Sequence, residues 1–471
     1  MIRIILTINY LTLKNLKTNT MRKIYLFITL IYSISFAQEN NLELLYQWSD
    51  ETISGDNWVG NVYNEVWGFT QNEHEFAVIG STEGTHIIDV TDPINSYLVA
   101  SIEGGSTSPN VVHRDFHSYN GYLYAVADEE NESTLQIIDL NNLPNSVEVI
   151  YDSNDMITRS HNIFIDEDNE IMYTCGGKVN GQSNYLSLIS LEDPTNPIFI
   201  TNYNTHGYVH DIYVKNNIGY LNCGSNGFHI VDFSDSSNPQ TMGSLTDYPF
   251  KGYNHSGWLT EDGNTYILAD ENHGYRMKVC DVSNPSDIEI YNNLLLSDVG
   301  GENDESIAHN LIIKDNLLYV SHYHDGLWIW DISNPDNPTY VASYDTYLEA
   351  GHSSYKGAWG VYPLLPSGNI LVSDMQSGLF VFAPPTEDNS DISETSHSIL
   401  YPNPFSNIIN IETSSNTTKK VEIYNIKGKQ VFNKTSNEKR ISITLESYKT
   451  GIYFLKIHDT FNSSEHKIVK Y

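Results

Sequence analysis

The sequence contains only three cysteines, and this odd number cannot form a set of disulfides without one unpaired cysteine. Cys175 and Cys223 occupy the same place in two neighbouring repeats of the chain, where other repeats carry alanine, serine or isoleucine. Cys280 stands near the end of another apolar stretch. We therefore expect all three to be buried core residues and not metal ligands or nucleophiles.

Long apolar runs are also missing, apart from one near the beginning of the chain. There Met21-Arg22-Lys23 precedes the apolar residues 24–34 and the small-residue site Ser35-Phe36-Ala37, the pattern of a signal peptide. The run is too short to cross a bilayer as a helix. We expect residues 1–37 to be an upstream extension and signal peptide, with translation starting at Met21. The mature protein is then exported and has no transmembrane helix.

Basic residues are scarce between residues 38 and 398. This span holds 53 of the 59 acidic residues and 9 of the 25 basic ones, a formal net charge of −44. Such a field repels phosphate backbones and attracts cations. Nucleic acid is therefore excluded as a partner. The sequence also has no G-x-S-x-G, H-E-x-x-H or P-loop motif, so no catalytic nucleophile can be named.

What the chain does contain is a segment repeated seven times. Each copy alternates short apolar strands with turns such as NG, DN, DG and SG, which is typical of β-hairpins. Successive copies begin 45–54 residues apart, about the length of a four-stranded propeller blade. The sequence therefore predicts an all-β fold in which residues 38–385 form a seven-bladed β-propeller.

The N-terminal strand is predicted to close this propeller. The seventh copy stops after three strands at Pro384-Pro385, and residues 41–49 form a lone strand patterned like the fourth strands of other copies. Pairing the two would remove a sheet edge. We interpret the polar residues 386–398 as a linker and the alternating strands of residues 399–471 as a small immunoglobulin-like β-sandwich.

The C-terminal segment resembles the type A sorting domain of the type IX secretion system. The resemblance rests on YPNPF at 401–405, IYNIKGKQV at 423–431 and TGIYFLKI at 450–457. It implies export by that machinery across the outer membrane of a Gram-negative bacterium, and a secreted or cell-surface location. The repeats GTHIIDVTDP, GFHIVDFSDSSNP and GLWIWDISNP resemble LVIVD-repeat propellers, in particular the choice-of-anchor B family. This second resemblance implies fold and location but no activity.

Aligned on their first strands, the repeats begin with histidine or tryptophan. These residues are Trp67, His113, His161, His210, His255, His309 and Trp359. Because first strands are innermost in a propeller, we expect these side chains to surround the axis and line a ligand-binding face. Strand two of each repeat runs antiparallel to strand one, so the residue at its end should lie beside these side chains. The residues at those ends are Asp128, Asp270, His322 and Asp374. A carboxylate beside an imidazole would fix its tautomer and raise its basicity.

The histidines have two interpretations. Three or four converging donors would bind a divalent metal, with Zn, Mn or Fe preferring imidazoles and Ca preferring carboxylates. Alternatively, each imidazole bonds a carbonyl of the neighbouring blade and seals the axis. The first functional hypothesis is an exported propeller that binds an extracellular carbohydrate, peptide or protein on its histidine-lined face. The alternative is a metal-dependent hydrolase or lyase acting on an extracellular polymer. A propeller with a merely plugged axis is the third.

Overall fold

The computed structural model describes residues 42–129, 133–294, 306–347, 355–385, 398–401, 407–413, 418–425, 427, 429–438, 440–458 and 463–470. The predicted signal peptide, and the predicted linker up to residue 397, lie outside these residues. The chain divides into two compact units, of which the first ends at Pro385. The described elements are β-strands and one short 3₁₀ turn, Pro93–Asn95, so the predicted all-β class is confirmed.

The first unit contains 29 described strands. The first fourteen are β1 (Leu44–Trp48), β2 (Tyr63–Gln71), β3 (His74–Ser81), β4 (Gly84–Asp89), β5 (Tyr97–Glu103), β6 (Arg114–Tyr119), β7 (Tyr122–Ala127), β8 (Leu135–Asp139), β9 (Glu148–Ser153), β10 (Ile157–Arg159), β11 (Asn162–Asp166), β12 (Ile171–Val179), β13 (Gln182–Ser190) and β14 (Ile198–Tyr203). The rest are β15 (Asp211–Lys215), β16 (Ile218–Asn222), β17 (Phe228–Asp232), β18 (Gln240–Leu245), β19 (Asn254–Leu259), β20 (Thr265–Asp270), β21 (Met277–Asp281), β22 (Glu289–Leu294), β23 (Leu311–Lys314), β24 (Leu317–Ser321), β25 (Leu327–Asp331), β26 (Thr339–Tyr344), β27 (Ala358–Tyr362), β28 (Ile370–Asp374) and β29 (Gly378–Phe382).

These strands form seven antiparallel sheets. Five sheets consist of four consecutive strands, beginning at β2, β6, β15, β19 and β23, and one contains β10 to β14. The innermost strands of neighbouring sheets contact one another in the order β2, β6, β11, β15, β19, β23 and β27, and β27 contacts β2 again. The sheets therefore surround a common axis, as in a β-propeller.

The seventh sheet joins distant parts of the chain. β1 pairs antiparallel with β29, so that Gln47 lies opposite Phe380 and Trp48 opposite Leu379. The order in this sheet is β1-β29-β28-β27. The sheet gains its fourth strand from the beginning of the described chain.

Burial follows the position of each strand in its sheet. Middle strands such as β4 and β28 are buried along their whole length because neighbouring sheets cover both faces. Outer strands such as β9 and β18 are largely exposed. All three cysteines are buried and form no disulfide, as expected from the small residues at equivalent positions.

The second unit has seven described strands in two antiparallel sheets. They are β30 (Ser398–Tyr401), β31 (Ile408–Thr413), β32 (Lys419–Asn425), β33 (Gln430–Ser436), β34 (Arg440–Thr444), β35 (Gly451–His458) and β36 (Ser463–Lys470). The sheet orders are β30-β31-β34 and β33-β32-β35-β36. Apolar residues of both sheets, including Ile411, Ile423 and Leu455, form one buried cluster. Nowhere in the described chain is there a helix with the length and hydropathy of a membrane span.

The contact of Trp48 with the first repeat sheet generates a prediction about closure. The Trp48 ring lies 5.9 Å from the Tyr63 ring and 5.0 Å from the His86 ring, so β1 connects the last sheet to the first. We expect Trp48→Ala to lower the free energy of unfolding by about 2–4 kcal/mol, as large-to-small changes at packed sites do. Equilibrium unfolding in urea measures this. Trp58→Ala is the control, because Trp58 is 77% exposed and its loss should change stability little. Equal effects of the two changes would contradict the closure.

Candidate functional site

Six aromatic side chains form a closed circle at the axis. Neighbouring ring centroids are separated by 5.1, 4.2, 4.0, 4.4, 4.2 and 5.1 Å around the series His113, His161, His210, His255, His309, Trp359 and back to His113. Each residue stands within or just before the innermost strand of its sheet. The structure thus brings together all five predicted histidines and one of the two predicted tryptophans.

Trp67 lies elsewhere. Its ring packs 4.3 Å from the His117 ring and 4.9 Å from the Tyr362 ring, and its Nε1–H donates to Ser118 Oγ at 3.1 Å. Strand β2 begins at Tyr63 and its pairing with β3 shifts between Tyr63 and Val66. Trp67 is therefore three residues further along its strand than the sequence alignment assumed, and it belongs to the aromatic packing beyond the histidine circle.

An open pocket of ≈ 390 Å³ lies on one side of the circle. All five histidines and Trp359 line it. Its other walls include the aromatic side chains of Trp58 and Tyr355 and the polar groups of Tyr323 and Glu271. The pocket therefore combines imidazole nitrogens, flat apolar faces and two carboxylates, those of Asp56 and Glu271.

Three of the five imidazoles have a hydrogen-bond partner at Nδ1. His309 Nδ1–H donates to the Trp359 carbonyl at 2.6 Å, His161 Nδ1 lies 2.9 Å from Asp128 Oδ2, and His113 Nδ1 contacts the Glu129 carboxylate. The Nδ1 atoms of His210 and His255 have no partner among the described residues. The interpretation in which every imidazole is bonded to a carbonyl therefore fits His309, and a backbone hydrogen bond to His255 also fits it for His210, but it does not fit His113 or His161.

Burial and these partners shift the imidazole pKa values in opposite directions. Burial lowers the pKa of His210 and of His255 well below the usual value, and that of His309 to about 3. Burial also acts on His113, but the hydrogen bond and charge of Glu129 outweigh it and raise the pKa. His210, His255 and His309 are consequently neutral near pH 7, with a lone pair on one ring nitrogen.

The second predicted set does not join the pocket as expected. Asp128 bonds His161 of the next sheet, not His113 of its own. Asp270 accepts hydrogen bonds from Lys278 Nζ at 2.6 Å and from the Tyr248 hydroxyl at 2.9 Å, away from His255.

The other two members of that set also have local partners. Asp374 accepts from Thr346 Oγ1 at 2.9 Å, and His322 Nδ1 is 3.3 Å from Ser306 Oγ. None of the four predicted residues lines the pocket.

The residues that do line it follow one position later in the chain. Glu271 follows Asp270, Tyr323 follows His322 and Met375 follows Asp374, and all three line the pocket. Side chains alternate between the two faces along a strand, so an error of one residue selects the opposite face. A hydrogen-bonding acid or tyrosine directly after the strand was the signal that could have identified these residues.

Glu271 is the carboxylate nearest the unpartnered histidines. Its Oε2 lies 3.8 Å from His255 Nε2, and its Oε1 accepts from the Tyr323 hydroxyl at 2.5 Å. Burial raises the pKa of Glu271 to about 7, although the Tyr323 hydrogen bond and the His113 charge oppose this. One side of the pocket thus holds two neutral imidazoles and a buried acid.

Three further buried acids lie on the other side of the circle. Glu65, Asp115 and Asp211 surround a cavity of ≈ 20 Å³ together with the histidines. Asp115 Oδ2 accepts the Ile163 N–H of the next sheet at 2.6 Å. Burial raises the pKa of Asp115 to about 8 and that of Asp211 to about 7, and it raises the pKa of Glu65 well above the usual value.

Comparison with protein families identifies two kinds of segment. Residues 206–247 and 306–346 match the LVIVD repeat, and residues 399–471 match the secretion system C-terminal sorting domain. These matches confirm the predicted LVIVD repeats and the predicted sorting domain, while the resemblance to the choice-of-anchor B family stays a prediction. The chain thus contains LVIVD repeats within a fold of the β-propeller type. It carries a type IX sorting domain, which directs export to the surface or surroundings of a Gram-negative cell.

Solved structures share the fold at low sequence identity. A periplasmic gluconolactonase of Pseudomonas aeruginosa is 10% identical, with a TM-score of 0.50 over 80% of this chain and 96% of that one. The β-propeller domain of Cps50 (Swd1) from Myceliophteria thermophila is 9% identical, with a TM-score of 0.47 over 72% and 98%. No curated protein is similar enough in sequence to count as a relative. The first likeness supports the fold alone.

The buried acids generate a prediction about pH and stability. Because the pKa of Asp115 is raised by folding from its ordinary value near 4 to about 8, the folded state holds a proton that the unfolded state releases between these values. The stabilisation is complete below about pH 4 and is lost as pH rises towards 8. We expect Asp115→Asn to flatten this decline, by up to about 1.4 kcal/mol per pH unit, in urea unfolding curves.

The matched control is Asp232→Asn. Asp232 is a turn residue whose pKa is lowered by hydrogen bonds from Ser234. It contributes almost no change of slope between about pH 5 and 8, because its carboxyl group is ionised over that range in both states, so the two variants are compared there. A slope unaltered in Asp115→Asn would contradict the assignment of the proton.

Proposed function

We propose that this protein is an exported seven-bladed β-propeller that binds an extracellular ligand in the pocket over its histidine circle. In this proposal residues 38–385 form the propeller and β1 completes its last blade. Residues 386–398 link it to an immunoglobulin-like sandwich, residues 399–471, that serves export. The N-terminal segment, residues 1–37, carries the signal peptide.

The closed aromatic circle carries the proposal. It gives the pocket a continuous floor, because neighbouring rings are no more than 5.1 Å apart. The pocket is therefore a cup and not the mouth of a wide channel. A cup of ≈ 390 Å³ lies within the range of sites that hold small molecules or a terminal group of a larger one.

The lining favours a carbohydrate over the peptide and protein alternatives. The rings of Trp58 and Tyr355 offer flat faces for stacking, and Glu271 and the imidazoles offer hydrogen bonds to hydroxyl groups. The strong negative charge of residues 38–398 disfavours an anionic ligand. A neutral sugar unit therefore suits the pocket best.

The hydrolase or lyase alternative has less support. It needs a metal at the histidines together with a base and a positioned water. Asp128 and Asp270, the carboxylates that the sequence offered for such roles, lie outside the pocket lining. Binding without turnover is the function that the geometry supports best.

A neutral glycan array probed with the mature protein tests the function. We expect selective binding, and we expect Tyr355→Ala and Trp58→Ala each to weaken the affinity for the best glycan at least about 10-fold, since one lost stacking contact costs about 1.4 kcal/mol. Isothermal titration measures the affinities. The control is Tyr97→Ala, at a 50% exposed residue on the outer strand β5, which should bind like the wild type. No binding on the array, or equal affinities in all variants, would contradict the proposal.

A further inference from the structure

We propose that His210, His255 and Glu271 form a binding site for one divalent transition metal ion, of the zinc class, in the floor of the pocket. The proposal rests on the proposed function for its role, because the ion would face the ligand. Of the five histidines that the sequence predicted as metal ligands, the proposed site uses two. It also adds a carboxylate that the sequence pattern did not identify.

The positions of the donor atoms support a shared site. One donor atom from each of the three residues lies within 4.8 Å of those of the other two. Ligands bound to one tetrahedral zinc at about 2.1 Å are separated by roughly 3.4 Å. His255 Nε2 and Glu271 Oε2 are already 3.8 Å apart, and the rings of His210 and His255 are 4.0 Å apart. Small side-chain rotations would bring the donors to bonding distance.

The positions of the donor atoms distinguish these two histidines from the others, because the cluster of donors within 4.8 Å among the described residues contains His210, His255 and Glu271 alone. His113, His161 and His309 each use Nδ1 in a bond to a carboxylate or a carbonyl. His210 and His255 are 8% and 4% exposed, and within the described chain their Nδ1 atoms have no partner. A buried polar atom without a partner costs about 1–3 kcal/mol. In His255 the ring atom near the Glu271 carboxylate is Nε2, so a metal ion would bind there or, after rotation of the ring, at the unpartnered Nδ1.

The ligand types indicate which metal. Two histidines and one glutamate are the set found at catalytic zinc sites, and two histidines with one carboxylate also bind iron(II). Calcium prefers oxygen ligands and would not select the two imidazoles. Since all three residues line the pocket, the remaining coordination positions would face it, where a ligand hydroxyl group can bind.

The experiment uses the full mature chain purified without a histidine tag, stripped with a chelator and titrated with zinc chloride. We expect one ion per chain, with calcium failing to compete. His255→Ala and Glu271→Gln should each weaken zinc binding at least about 10-fold. Glutamine keeps an acceptor for the Tyr323 hydroxyl, so Glu271→Gln removes charge with little change of shape. Replacing zinc by cobalt should give visible absorption bands. Their positions should indicate a cobalt ion with imidazole ligands and at least one coordination position not filled by protein.

His161→Gln is the matched control, because His161 belongs to the same circle but is not among the three residues whose donor atoms lie within 4.8 Å of one another. It should bind zinc like the wild type, and thermal unfolding should show that all variants fold. Substoichiometric zinc in the wild type, or full binding in both His255→Ala and Glu271→Gln, would overturn the metal site.

The two proposals fail separately. Glycan binding that persists in the chelator-stripped protein, with no zinc uptake, overturns the metal site and leaves the ligand-binding function in place. Stoichiometric zinc that is lost in the variants, without any glycan binding, supports the site and contradicts the function.

Discussion

The mutual packing of the seven innermost strands is the constraint on which the rest of the first unit depends. Each contacts its neighbour, and β27 returns to β2, so equivalent residues of different repeats come together around one axis. Residues separated by some 50 positions in the chain are thereby brought within ring contact. The aromatic circle, the pocket on one side and the buried acids on the other are consequences of that geometry.

The repeat made much of this predictable. The strands and the convergence of five histidines, His113, His161, His210, His255 and His309, follow from one alternating pattern copied along the chain. The predicted position of Trp67 was wrong because β2 begins earlier than the sequence pattern indicates. The pairing of β2 with β3 also shifts in register. Register shifts of this kind change the local strand propensity and the composition very little, so the sequence does not reveal them. They nevertheless change the position of a side chain along the strand.

The polar surroundings of the circle were less predictable. Asp128 was assigned to His113 by spacing within one repeat, whereas it bonds His161 across the boundary between sheets. Glu271 was missed by one residue, the distance that separates opposite faces of a strand. Which imidazoles keep an unpaired nitrogen depends on contacts between sheets, and no feature of a single repeat encodes them. The sequence therefore predicts where a site lies better than which atoms form it.

The pairing of β1 with β29 has a consequence for biogenesis. Gln47 Nε2 donates to the carbonyl of Ser377, 330 residues later. Synthesis is vectorial, so this seam stays open until nearly all of the unit has been made, and contacts between such remote positions form slowly. A prematurely ended chain would display a bare strand edge open to aggregation or proteolysis. The pairing of β1 with β29 can therefore form only in a chain that has been made as far as β29.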